Sequence, residues 1–281
     1  IDRFRAQFII ESVEDLRLSL RAKGSDLIVR YGKPEEIIFE LASSLHTSWI
    51  FCNRERTQEE VEVQDALEKI LWTVGQEMRY YRGKMLFYTA DLPFPVPQTP
   101  DVFTHFRKEV EKIVPIRKPL ASPERVPLLS SLEPGNIPTL TDLGFDEYVR
   151  DKRAAYSFKG GEKEALDRLK YYLWESNHIS SYKKTRNGLL GEDYSSKFSP
   201  YLAQGCLSPK KIYFEISEYE RKVKKNQSTY WLKFELMWRD FFRFMAKKHG
   251  NKIFLKGGIQ SKVDPRWSDD METFQKWASG S

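Results

Sequence analysis

Along residues 4–22 the apolar positions recur every three or four residues, at Phe4, Phe8, Ile9, Val13, Leu16 and Leu20. That spacing puts them on one stripe of a helix. Gly24 ends the helix, because a glycine readily takes the positive φ that closes a last turn. The runs then shorten. "DLIVRYG" (26–32) and "SWIFCN" (48–53) predict buried strands, and Pro34 opens a helix over "PEEIIFELASSL" between them. "TQEEVEVQDALEKILWTVG" predicts a helix ending at Gly75, and "EMRYYRG" and "MLFYT" predict two more strands. Strands and helices alternating at this spacing predict a doubly wound parallel sheet, an α/β unit over residues 1–112. No G-x-G-x-x-G follows any of these strands, so nothing marks a Rossmann dinucleotide site.

Ten prolines between Pro93 and Pro138 interrupt the pattern, with one helix, "TPDVFTHFRKEVEKIV", among them. Residues 113–164 read as a connector laid over a surface. From residue 165 the periodicity is helical, with helices predicted at 165–178, 199–204, 209–225, 228–249 and 271–278. Residues 165–281 therefore read as an all-α unit.

Composition narrows the function classes. No apolar run approaches the ~20 residues that cross a bilayer. The formal charge of +6 permits a polyanionic partner, although a lysine-rich solvated face has the same composition. Cys52 and Cys206 are the only cysteines, too few for a disulfide framework, and they point to a reducing compartment. The four histidines are scattered singly and no Cys/His spacing suits zinc, so no metal site is expected.

Three stretches carry candidate chemistry. In "EDYSSKFSPYLAQGCLSP" (192–209), Ser199 suits an N-cap and Pro200 the first helical position. Ser195, Ser196 and Lys197 lie just outside. Hydroxyls, amides and a cation at a helix start suit a phosphate; a plain capped helix after a turn has the same sequence. In "QSTYWLKFELMWRDFFRFMAKKHG", Ser228 or Thr229 suits the cap, and Glu235, Trp238 and Phe242 share one face. Glu235 and Arg239 stand at i, i+4, where they can pair. A flat heteroaromatic ligand would satisfy the acid and stack on the indole; an aromatic core helix with Glu235 at its rim is the other reading. In "SYKKTRNG" (181–188), Tyr182, Lys184, Arg186 and Asn187 form a basic, aromatic-edged loop that suits phosphates or plain solvent.

Together these stretches resemble the photolyase/cryptochrome family, its DASH branch most closely. The matching text is "YKKTRNGLLGEDYSSKFSPYLAQGCLSP" and "NQSTYWLKFELMWRDFFRF", supported by "RFRAQFIIESVEDLR", "DLPFPVPQTPDVFTHFRK" and "FKGGEKEAL". The resemblance implies an α/β domain, a connector and a helical domain that holds FAD. Carried over by motif, it implies FAD contacts from Tyr182, Ser195, Ser196, Lys197, Phe198, Ser199, Gln227, Glu235 and Arg239. It implies that Glu235 bonds a flipped pyrimidine dimer, that Trp238 stacks on it, and that Arg186 and Asn187 contact DNA, preferably single-stranded. Light-driven electron transfer from reduced flavin would then split the dimer. A reduced-folate antenna (methenyltetrahydrofolate) is also implied, with Glu55 as its contact. Plant-like members imply a chloroplast or mitochondrion.

Against the family's pattern, the chain looks cut at both ends: the first strand and the later half of the FAD domain are missing from it. Three functions follow: a light-driven dimer-repair enzyme, a cryptochrome-type photoreceptor without repair, or a cofactor-free relative whose helical face docks on a protein partner. A site enclosing only part of a ligand binds it weakly. The chain by itself is therefore expected to take up less than one equivalent of FAD; reconstitution to one equivalent, read by flavin absorbance, would contradict this.

Overall fold

The computed structural model describes residues 2–128, 131–147, 149, 151, 153–259 and 268–280. Strands β1 (Trp49–Asn53) and β2 (Glu77–Tyr81) form a parallel pair in register from Trp49↔Glu77 to Asn53↔Tyr81. Helices α2 (Pro34–Ser44) and α3 (Gln58–Thr73) pack together beside it. Ala42, Leu67, Leu71 and Met78 form the core between helices and sheet, with Ile50, Cys52 and Tyr80 packed against it. The strands alternate as a half-covered sheet must: Trp49, Phe51 and Tyr81 stay exposed.

Two of the four expected strands form no ladder. Residues 26–32 carry no regular structure. Val29 N–H donates to the Pro134 carbonyl at 2.7 Å, and a proline has no N–H with which to answer. The "MLFYT" run is a buried turn whose amides bond a carboxylate in the core.

Helix α1 (Arg3–Ala22) also departs from its expected stripe. It buries Ala6, Phe8, Ile10 and Arg17, while Phe4 and Leu16 are exposed. Ala6 and Ile10 face Leu140 in the proline-rich segment, and the Arg17 guanidinium donates to the carbonyls of Leu27, Pro134 and Gly135. A buried arginine at the centre of the face is what periodicity of apolar residues cannot show. Helix α1 also caps α5 (Glu162–Lys170): the Asp15 carboxylate accepts the N–H groups of Glu162 and Lys163. Gly160 allows this approach, since a Cβ there would lie 2.1 Å from the Phe8 carbonyl oxygen.

Helix α4 is shorter than expected, Phe103–Val110, because a 3-10 turn at Val96–Gln98 precedes it and Thr99 bonds back to Val96. Phe103, Phe106 and Val110 are its buried positions. The run expected as one helix at 165–178 ends α5 at Lys170 and continues as a π turn, Tyr171–Glu175. A short helix α6 (Tyr182–Thr185) then stands where a loop was expected. Helices α7 (Ser199–Gln204), α8 (Pro209–Lys222), α9 (Gln227–His249) and α10 (Met271–Ser279) complete the helical part. The main core runs continuously from Leu86, Phe87, Phe103, Phe106 and Val110 into Tyr172, Tyr201, Ile212, Leu236, Phe241 and Phe244.

One polar contact crosses that core. Asp240 on α9 is wholly buried, and its two carboxylate oxygens accept the N–H groups of Leu86 (3.1 Å) and Phe87 (2.8 Å). A turn whose amides bond a helix carboxylate cannot pair them in a ladder, so residues 85–89 are no strand. Burial raises the Asp240 carboxyl to about 6, opposed by those two N–H groups and by Arg239 and Arg243.

Asp240→Ala strands both amides in the core. At about 1–3 kcal/mol for each unpaired buried group, urea unfolding should show a loss of about 2–6 kcal/mol; an unchanged midpoint would contradict it. The pH response has a definite sign. The folded pKa, about 6, exceeds the ordinary 3.8, so the folded state holds the proton more tightly. Asp240's contribution to stability therefore falls as pH rises from about 4 to about 6, by about 3 kcal/mol in all. The difference in pH slope between wild type and Asp240→Asn should show this fall.

Candidate functional site

Helix α9 begins at a capping box. The Asn226 side chain accepts the N–H groups of Ser228 and Thr229, and the Thr229 hydroxyl accepts the Asn226 N–H. The cap is thus Asn226, two or three residues earlier than expected. This frees the Ser228 hydroxyl to accept the Lys183 N–H at 3.1 Å, while Asn226 Nδ2 donates to the Ser180 carbonyl at 2.8 Å. The start of α9 is therefore stitched to α6. Lys183 Nζ donates to Gln227 Oε1 at 2.9 Å, at the exposed edge.

That stitching sets the pairing further along. Arg186 Nη1 lies 2.7 Å from Glu235 Oε1. The expected Glu235–Arg239 pair does not form. Arg239 instead donates to the Lys84 carbonyl at 2.8 Å and the Leu202 carbonyl at 3.3 Å. Two part-buried carbonyls outcompete a carboxylate that already holds a cation, and they give the guanidinium fork two acceptors. Burial lowers the Arg239 pKa. Tyr182 is buried beside the acid pair; burial first, then the Glu235 charge, pushes its phenol up to about 12.

Trp238 stacks on Phe103, with ring centroids 3.7 Å apart and planes at 13°. Its other near-parallel neighbour is Phe242, 5.4 Å away. Phe103 is buried and Phe242 is exposed, so the indole stands at the edge between core and solvent. Glu235 is half-buried on the same helix.

The hydroxyl loop ahead of α7 is organised by a residue that the sequence pattern does not single out. Arg168 on α5 is buried, pairs with Asp193 at 2.9 Å, and donates to the carbonyls of Glu192, Ser195 and Ser196. Its guanidinium carbon lies over the rings of Tyr156, Tyr171 and Tyr172. In "EALDRLKYYL" this arginine looks like any solvated helix position; only the aromatic pair after it hints at a stacking partner. With the loop carbonyls turned to Arg168, the hydroxyls of Ser195, Ser196 and Ser199 have no protein partner among the described residues. Lys197 takes a left-handed φ of +61°, uncommon for a side chain of its size. The expected Ser199 cap is corrected: Ser199 is the first residue of α7, and Phe198 precedes it with no side-chain capping bond.

The loop and the acid helix are neighbours. Phe198 packs on Tyr172 (6.0 Å), Tyr172 on Tyr182 (6.5 Å), and Arg239 bonds α7 directly. Contacts thus run from Glu235 and Arg186 through Tyr182 and Tyr172 to Phe198 in the Ser195–Ser199 loop, and from Arg239 to α7. Asn187 and Gln227 stand at the rim. Glu55 belongs elsewhere, at the end of β1, paired with Lys84. Among the described residues no helix is long and apolar enough to cross a membrane, and no three acidic, His or Cys side chains cluster as metal ligands would.

The family model described as DNA photolyase matches residues 1–124. Over 277 residues, 99% of this chain and 55% of the relative, the chain is 48% identical to cryptochrome DASH of Gloeobacter violaceus. It is 44% identical to cryptochrome DASH of Xenopus laevis, covering 98% of this chain and 53% of the relative. A solved cryptochrome from Synechocystis sp. superposes with a TM-score of 0.94 at 43% identity, over 99% of this chain and 57% of that one. The chain therefore spans about half the length of the curated relatives it matches. Identity of this level over nearly every described element, with the same fold, means that the chain belongs to the photolyase/cryptochrome family, in its DASH branch.

Proposed function

We propose that this chain forms the phosphate-facing and base-facing walls of a flavin-dependent blue-light protein that reverses cyclobutane pyrimidine dimers in single-stranded DNA. The observation that carries this is Arg239. It ties α9, which bears Glu235 and Trp238, to α7 and its unpartnered hydroxyls. An acid, an indole and a phosphate-suited loop then sit on helices joined by one guanidinium.

The residues fit FAD. Ser195, Ser196 and Ser199 offer free hydroxyls, and Lys197 has no carboxylate within 4 Å among the described residues. Hydroxyl donors and an unpaired ammonium suit a diphosphate. Tyr182 and Phe198 give the apolar flank. Gln227 and Arg239 border the same wall, Arg239 keeping its carbonyl contacts. Reduced flavin, when bound, supplies one electron under blue light.

On the DNA side, Glu235 must exchange partners. Its carboxylate now holds Arg186. A flipped base offering an N–H can replace that contact, which releases Arg186 toward the DNA phosphates with Asn187 beside it in the turn. Trp238 keeps its core neighbours Phe103 and Phe241, so a base stacking on its outer face displaces the exposed Phe242. Single strands suit this geometry because no pairing must be broken. A reduced-folate antenna is part of the same reading. A cavity of about 420 Å³ lined by Thr57, Gln58, Glu59, Glu60, Asn251, Phe254 and Leu255 opens two residues beyond Glu55, within the size range of ligand sites.

The test is loss of thymine dimers from single-stranded DNA under blue light, by the flavin-loaded protein that contains this chain. Glu235→Ala should weaken binding of dimer-containing strands about 10–100-fold, the worth of a charge-assisted hydrogen bond. Trp238→Ala should weaken it about 5–100-fold through lost stacking. Dimer binding with no light-driven loss would leave the photoreceptor reading in place. A protein that takes up neither flavin nor DNA would leave the interaction-subunit reading.

A further inference from the structure

Six cationic side chains meet at one small cavity where the carboxyl ends of β1 and β2 face α9. They are Arg54 and Arg56 after β1, Arg82 and Lys84 after β2, and Arg243 and Lys247 on α9. Two are neutralised: Arg54 pairs with Asp65 at 2.7 Å, and Lys84 with Glu55. The other four have no carboxylate within 4 Å among the described residues. Their contacts are neutral. Arg56 donates to the Glu55 carbonyl at 3.2 Å, Arg82 to the Thr89 hydroxyl, and Arg243 Nε lies 3.2 Å from the Met85 sulfur. The crowding shows in their acidity: burial lowers Arg56 and Lys247, and neighbouring arginines lower both further.

Like charges brought together in a part-buried site repel more strongly than in water, and the Asp240 carboxylate, which accounts for Arg243, gives no reason to gather the other three. An anion does. The cavity measures about 30 Å³, room for more than a single water but far below the ~300–1,000 Å³ of a chromophore-sized site. The group it admits is small. Arginine forks match the oxygens of a phosphate, and the carboxyl ends of parallel strands are where open α/β sheets bind ligands. We propose that this cleft is an oxyanion site that takes one phosphate group, free or carried on a nucleotide, between Arg56, Arg82, Arg243 and Lys247. It lies apart from the Ser195–Ser199 loop and does not depend on the flavin reading.

Thermal unfolding of the chain at constant pH and ionic strength tests this, with chloride replaced stepwise first by inorganic phosphate, then by adenosine 5′-monophosphate. Tm should rise saturably with phosphate, as ligand linkage requires. In Arg56→Gln/Arg243→Gln the half-saturating phosphate concentration should rise at least tenfold, with each variant referred to its own Tm in chloride. Lys69→Gln/Lys118→Gln, on exposed positions elsewhere, should respond as wild type does. Equal half-saturation for both anions means that the site reads the phosphate alone; a tenfold lower value for the nucleotide names the nucleotide as carrier. No saturable rise in wild type, or a rise that survives unchanged in the Arg56/Arg243 variant, overturns the proposal.

Discussion

The Asp240 carboxylate, wholly enclosed and receiving the amides of Leu86 and Phe87, is the contact on which the arrangement of this molecule depends. Burying a charge is costly, and the cost is offset only if every oxygen is bonded and cations stand nearby. Both conditions hold here, with Arg239 and Arg243 adjacent on the same helix. The contact turns the chain after β2 into the core and locks it to the middle of α9. An apolar residue at position 240 would pack, but it would leave two amides unanswered and let the turn slide along the helix.

Once α9 is fixed there, its other faces have little freedom. Arg239 reaches both the Lys84 carbonyl and α7. Glu235 and Trp238 lie on the next faces, toward Arg186 and Phe103. Arg243 and Lys247 are aimed at the ends of the strands. One helix thus divides its positions among a core contact, an acid-and-indole face and a cationic cleft. A second chain of contacts holds the phosphate-suited loop: Asp15 caps α5, α5 presents Arg168, and Arg168 gathers the loop carbonyls. A buried guanidinium with a carboxylate, three carbonyls and three aromatic rings around it is held in place from several sides.

Much of this is legible in the residues. The α/β pattern, the helical second half, and the grouping of Tyr182, Arg186, Phe198, Glu235 and Arg239 all follow from periodicity and from long family motifs. What escapes has a common cause. Periodicity treats charged residues as solvent-facing, so it hides Arg17, Arg168 and Asp240, although each organises a loop by binding backbone groups. The strands expected at 26–32 and at 85–89 fail for the same reason: their amides or carbonyls are claimed by a proline-rich neighbour, by Arg17 or by Asp240. The Glu235–Arg239 pair is reasonable at i, i+4, but local spacing cannot know that a distant arginine and two backbone carbonyls compete for the same groups. The hydroxyls of Ser228 and Thr229 hide the true cap because Asn226, just ahead of them, satisfies the same amides.

The amide hydrogens of Leu86 and Phe87 test the central claim most directly, by native-state hydrogen exchange. If the Asp240 contact holds α9 to the rest of the molecule, both should exchange only with global unfolding, as slowly as the amides in the middle of α9. Fast exchange at Leu86 and Phe87 while α9 remains protected would show that the turn opens without the helix, and would contradict the anchoring role assigned to Asp240.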